Sequence, residues 1–86
     1  MTSVVNFNMV VEINELLKRK GIEYSIHGDG GCTCAGLMLR QYGKEEKLGN
    51  ILGVINEYLE DKWIRVVVDD NDFKILHVVS KFEHEN

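Results

Sequence analysis

Positive charge, cysteine and long apolar runs are all scarce in this 86-residue chain, and each scarcity excludes something. Ten Lys and Arg against fourteen Asp and Glu leave a net charge of -4, so the basic excess that phosphate-backbone binding normally demands is missing. Nucleic acid is therefore not expected as a partner. Uncharged stretches fall far short of the roughly 20 apolar residues that cross a bilayer, and Met1 to Val5 carries neither a basic leader nor a cleavage signal. The expectation is a cytoplasmic protein without membrane association. Only two cysteines occur, Cys32 and Cys34. Strand residues i and i+2 hold their Cα atoms roughly 6.6 Å apart, a strained span for a disulfide. Both are expected as free thiols in a reducing compartment.

What is present suits one folded domain, residues 1–86. A chain of 9.9 kDa buries roughly 60 to 65% of its unfolded surface and cannot support two cores. Within it a repeat appears at an offset of 42 positions. Ile13-Asn14-Glu15 recurs as Ile55-Asn56-Glu57, and Asn8, Leu17, Lys20 and Ile22 recur as Asn50, Leu59, Lys62 and Ile64. Seven of the fifteen positions from 8 to 22 match, where background residue frequencies give about one. Two units, about 8–40 and 50–82, are expected from an internal duplication.

In the first unit Asn8 is the expected N-cap. Val10, Ile13, Leu16 and Leu17 recur at helical spacing, and the helix should end near Lys20, where basic residues suit the dipole and Gly21 supplies a left-handed residue. Ile22, Tyr24 and Ile26 then alternate with polar residues as in a half-buried strand. Asp29-Gly30 reads as a hairpin turn into a strand from Cys32 to Leu39. In the second unit an apolar stripe of Leu48, Ile51, Leu52, Ile55 and Leu59 predicts a helix from about Glu45 to Glu60. Trp63–Val68 and Phe73–Val79 form the second hairpin, joined by a turn over Asp69–Asp72. Ser80 to Asn86 should fray, unless Phe82 carries the tail across the sheet.

The fold class expected is α+β: an α-β-β-α-β-β two-layer sandwich with a four-stranded, mostly antiparallel sheet and two helices on one face. This element order resembles a circularly permuted ferredoxin-like sandwich, a likeness that carries no function with it.

Hairpin parity assigns the two faces. A four-residue second turn puts Ile64, Val66, Val68, Phe73, Ile75, His77 and Val79 toward the helices, with Ile22, Tyr24, Ile26, Thr33, Ala35, Leu37 and Leu39 from the first hairpin. The outer face then receives Trp63, Val67, Leu76, Val78, Met38 and Cys34, an apolar patch large enough to mark a contact surface. The function expected is a non-enzymatic binding or regulatory module that forms a homodimer or holds a protein partner through this face. An acidic inhibitor of a basic protein is a further alternative.

The alternative of a different class is a small-molecule binder or thiol enzyme on the first hairpin. His27, expected opposite Cys32, would activate Cys32 or Cys34, and the Gly28–Gly31 turn would supply backbone amides. A zinc site on His27, Cys32 and Cys34 lacks a fourth ligand. No calcium loop is expected at Asp69, Asp70 and Asp72, because the sixth-position Gly and twelfth-position Glu are missing. No residue pattern calls for a metal or a cofactor.

Overall fold

The computed structural model describes residues 5–28, 33–34 and 36–80, with backbone alone at 33–34. The first helix, α1 (Phe7–Arg19), follows a two-residue strand β1 (Val5–Asn6). Its N-cap is Asn6 rather than Asn8: the Asn6 side chain accepts from the Met9 amide at 2.9 Å. An Asn at either position has the chemistry, and the chain uses the one that leaves Val10, Ile13 and Leu17 buried on one stripe. At the other end Gly21 adopts φ 78°, and the Ile22 and Gly21 amides bond back to the Leu17 and Lys18 carbonyls. This left-handed closure terminates the helix where expected.

Strand β2 (Tyr24–Gly28) follows, then β3 (Thr33–Cys34) and β4 (Gly36–Gln41). The expected single strand from Cys32 to Leu39 is thus divided: Thr33 and Cys34 pair with Asn6 and Val5 of β1, while β4 pairs with β2. Helix α2 (Leu48–Tyr58) is shorter than its apolar stripe, with Glu45 and Glu46 in the preceding loop and a 3-10 turn at Glu60–Lys62 after it. Strands β5 (Ile64–Val68) and β6 (Ile75–Ser80) are the last of the described elements. The main sheet has the order β2-β4-β6-β5, antiparallel throughout, so the two hairpins meet along their second strands.

Both helices cover one face. Ile13 and Leu17 of α1 and Ile51 and Ile55 of α2 pack with Ile26, Leu37, Leu39, Val66, Leu76 and Val78 of the sheet in one buried cluster. Each large aliphatic side chain so buried contributes about 1.5 to 3 kcal/mol relative to exposure. Among the described residues no helix is long and apolar enough to cross a membrane.

The two outer strands are sealed by the same device. Asn14 of α1 accepts from the Ile26 amide at 2.7 Å and donates to the Ile26 carbonyl at 3.0 Å. Asn56 of α2 does the same to Val66, at 2.7 and 3.2 Å. In antiparallel pairing the amide and carbonyl of alternate residues face away from the neighbouring strand. The Tyr42 amide bonds to Glu23 and the Asp69 amide to Ile75, which fixes Ile26 and Val66 as residues that face the open edge. Two positions paired by the sequence repeat thus do the same job. The strand equivalence slips, however: Ile26 corresponds to Val66 rather than to Val68, as a gapless repeat would have it.

Candidate functional site

The outer sheet face differs from expectation in one strand, and the turn before it is the reason. The Asp69 carboxylate accepts from the Asn71 and Asp72 amides at 2.9 and 3.1 Å, and the Asp72 carboxylate accepts from the Lys74 amide at 2.9 Å. Asp side chains that bond their own following backbone build a self-contained turn, and here it extends to Lys74. Val68 therefore stands opposite Leu76, not Phe73. The seven residues from Asp69 to Ile75 lie between them, an odd number, and an odd loop inverts the parity of the following strand.

Two expected interface residues are corrected by this. Leu76 is fully buried and Val78 is 6% exposed, both against the helices. Ile75, His77 and Val79, assigned to the core from sequence, face outward. Phe73, also assigned to the core, is 69% exposed. In the first hairpin the faces hold although the pairing moves. His27 stands opposite Met38 rather than Cys32, a shift of an even number of residues.

The reactive hairpin loses its central pairing because Thr33 and Cys34 pair with β1 while His27 pairs with Met38. Cys32 lies outside the described residues, as do the Asp29-Gly30 turn, Ala35 and the 81–86 tail. Cys34 is described only through its backbone pairing with Val5. His27 contacts Ser25 Oγ through Nε2 at 2.9 Å. Among the described residues no cluster of three His, Cys, Asp or Glu side chains could hold a metal ion.

The face is best read as register rows. His27, Met38 and Ile75 form one row, Gly36, His77 and Val67 the next, and Val79 and Arg65 the one after. Rows lie about 6.7 Å apart, so Trp63, one step beyond Arg65, is roughly 20 Å from the Met38 row by the same spacing. Met38 is 52% and Trp63 59% exposed, with Val67, Ile75 and Val79 half-buried between them. The patch expected at one centre is a strip running corner to corner.

Trp63 adopts φ 64°, in the left-handed region. A bulky residue there is a conformational outlier costing roughly 1 to 2 kcal/mol, and the first unit has Gly21 at the matching place.

Two charged contacts stand out, one on each side of the sheet. His77 Nε2 lies 2.7 Å from Asp69 Oδ1. This hydrogen bond, helped by the Asn71 amide, holds the Asp69 carboxyl below its usual range. Asp69 and Asp72 therefore serve the turn itself. On the helical side Tyr58 donates to Glu12 across the helix pair, and its phenol is pushed up to about 12, by burial first and then by the Glu12 hydrogen bond and charge.

At the β2–β4 end of the outer face a hollow of about 380 Å³ is lined by His27, Met38, Leu39, Arg40, Gln41 and Lys74. Three of its six lining residues carry basic side chains and none is an acid. Sequence reasoning missed Arg40 and Lys74 as a pair because only the β4–β6 pairing brings them together. A second cavity, about 310 Å³, adjoins it at Leu39, Gln41 and Lys74 and is lined by Glu45, Glu46 and Phe73. Compared with known proteins, the chain matches no protein-family model, no curated protein and no solved structure.

Proposed function

We propose that this chain is a non-enzymatic binding module whose working surface is the outer face of its four-stranded sheet, engaged with a protein. The observation that carries the reading is Trp63: a large aromatic, more than half exposed, on a backbone conformation that disfavours it. The half-buried Val67, Ile75 and Val79 and the exposed Met38 give the same strip the apolar middle that protein interfaces use. A regulatory role fits a chain that binds without reacting. A reducing, cytoplasmic setting fits two cysteines whose sequence spacing disfavours a disulfide, and descent by internal duplication fits the paired asparagine contacts of Asn14 and Asn56.

Native mass by light scattering, on wild type and on Trp63→Asp, tests the self-association form of this reading. A dimer that the substitution dissociates supports a homodimer through this face. A monomer in both directs the search to a different protein. A dimer unchanged by Trp63→Asp would place the contact elsewhere and remove the reading.

A further inference from the structure

We infer that the hollow beside Met38 is a carboxylate-binding subsite, and that the face takes an acidic, amphipathic segment of a partner protein in preference to a second copy of this chain. This rests on reading the outer sheet face as the working surface, and it names the partner's chemistry. Arg40 and Lys74 line the hollow with His27, and among the described residues no carboxylate does. Neither the Arg40 guanidinium nor the Lys74 ammonium has an ion-pair partner among the described residues. Ser25 holds the His27 ring through Nε2, leaving Nδ1 to meet a ligand. Positive groups gathered in a hollow whose described lining holds no acid, in a chain of net charge -4, favour a ligand that brings negative charge.

Charge complementarity selects the occupant. Two copies placed face to face would bring Arg40 and Lys74 of each toward the same surface, a like-charge juxtaposition that disfavours the pair. A run of phosphates fits no better. The positive corner is bounded by Glu45 and Glu46 in the adjoining cavity, which shares Lys74, and by Asp69, Asp70 and Asp72 in the turn just before Lys74. One or two carboxylates fit inside that boundary, whereas an extended polyanion would cross it. Guanidinium binds carboxylate in a planar two-point fork, and Met38 beside it offers the flexible, polarisable surface that accepts varied apolar side chains. The segment therefore places a Glu or Asp in the hollow and its apolar side chains along Met38, Ile75 and Val67.

The test is a titration of isotope-labelled protein followed by amide chemical shifts, with three probes: an amphipathic Glu/Leu peptide, its Lys/Leu counterpart and an oligothymidylate. The Glu/Leu peptide should move the signals of His27, Met38, Arg40, Lys74 and Ile75, and its binding should weaken as salt rises. Arg40→Glu and Lys74→Glu, each checked for folding by circular dichroism, should weaken it about tenfold or more. Equal binding of the Lys/Leu peptide, or shifts on this face that depend only on protein concentration, would overturn the carboxylate subsite while leaving the face as a working surface. Binding of the oligonucleotide in the peptide's place would replace the protein partner by a nucleic acid. Shifts confined to other surfaces, or none with any probe, would remove both the subsite and the face.

Discussion

Removing the Asn56 side chain contact should cost more than any other single polar substitution on α2, and the structure gives the magnitude. Asn56→Ala deletes one bond accepted from the Val66 amide and one donated to its carbonyl. Each such bond contributes about 0.5 to 1.5 kcal/mol net, so the pair is worth about 1 to 3 kcal/mol by the same measure. Against the roughly 0.05 to 0.15 kcal/mol per residue of an ordinary domain, that is a large share of the total for this chain. Urea unfolding should report the loss directly, and in thermal unfolding a 2 kcal/mol change lowers the melting midpoint by roughly 8 to 16 °C for a domain of this size. Asn56→Asp should do no better, because a carboxylate accepts from the amide but has no donor for the carbonyl. Asn14→Ala should behave alike through Ile26, and the double variant should lose close to the sum, since the two contacts are on opposite edges of the sheet. Hydrogen exchange adds a local readout: the Ile26 and Val66 amides should be protected in wild type and exchange faster in the matching variant. A loss below about 0.5 kcal/mol in both single variants, less than the smallest contribution expected of one bond, would refute the argument that these side chains seal the edges.

Two further outcomes follow from the burial pattern and the helix contacts. Leu76→Ala should cost about 2 to 5 kcal/mol, as for a fully buried leucine, and Ile75→Ala much less, because Leu76 faces the helices and Ile75 faces outward. Denaturant unfolding that ranks the two in the opposite order would restore the four-residue turn. Tyr58 should ionise near pH 12, later than a free phenol, in an ultraviolet absorbance titration. Its raised value favours the neutral form in the fold, so its contribution is complete below pH 10 and is lost as pH rises from 10 toward 12. Tyr58→Phe should abolish that part of the alkaline destabilisation and the late-titrating signal together.

How much of this was legible in the sequence depended on the distance over which each signal acts. Helix α1 and its end at Gly21 came from periodicity and a residue suited to positive φ, both local. The four-stranded sheet with two helices followed from element order. The outer face did not, because it hangs on the parity of one turn. The signal was present in Asp69-x-x-Asp72, whose carboxylates cap the backbone ahead of them, yet the sequence does not say how many residues such a turn consumes. The division of the strand at Cys32 to Leu39 was hidden for another reason: Thr33 and Cys34 pair with the N-terminal Val5–Asn6 segment, a long-range choice that alternation cannot reveal. Asn14 and Asn56 were conspicuous as repeated residues, but an asparagine inside a helix gives no hint that it reaches a strand.

The sealed edges bear on where this molecule can associate. A four-stranded sheet normally offers its outer strands as templates for another chain, and here β2 and β5 each give the amide and carbonyl of their central residue to an asparagine from the preceding helix. A strand added to either edge would have to displace that side chain and forgo two formed bonds before gaining its own. The helical layer is largely spent on the core, with Ile13, Leu17, Ile51, Ile55 and Leu59 all buried. Among the described residues, the outer sheet face is where exposed apolar side chains, basic groups and an aromatic on left-handed backbone come together, from the Arg40 and Lys74 hollow at one corner to Trp63 at the other. Association across that face leaves every backbone hydrogen bond of the sheet intact, and so favours a docking partner over sheet extension. If the Asn14→Ala and Asn56→Ala double variant associates in a way that wild type does not, and Trp63→Asp leaves that association untouched, the edges and the face are separate surfaces, as the hydrogen bonding requires.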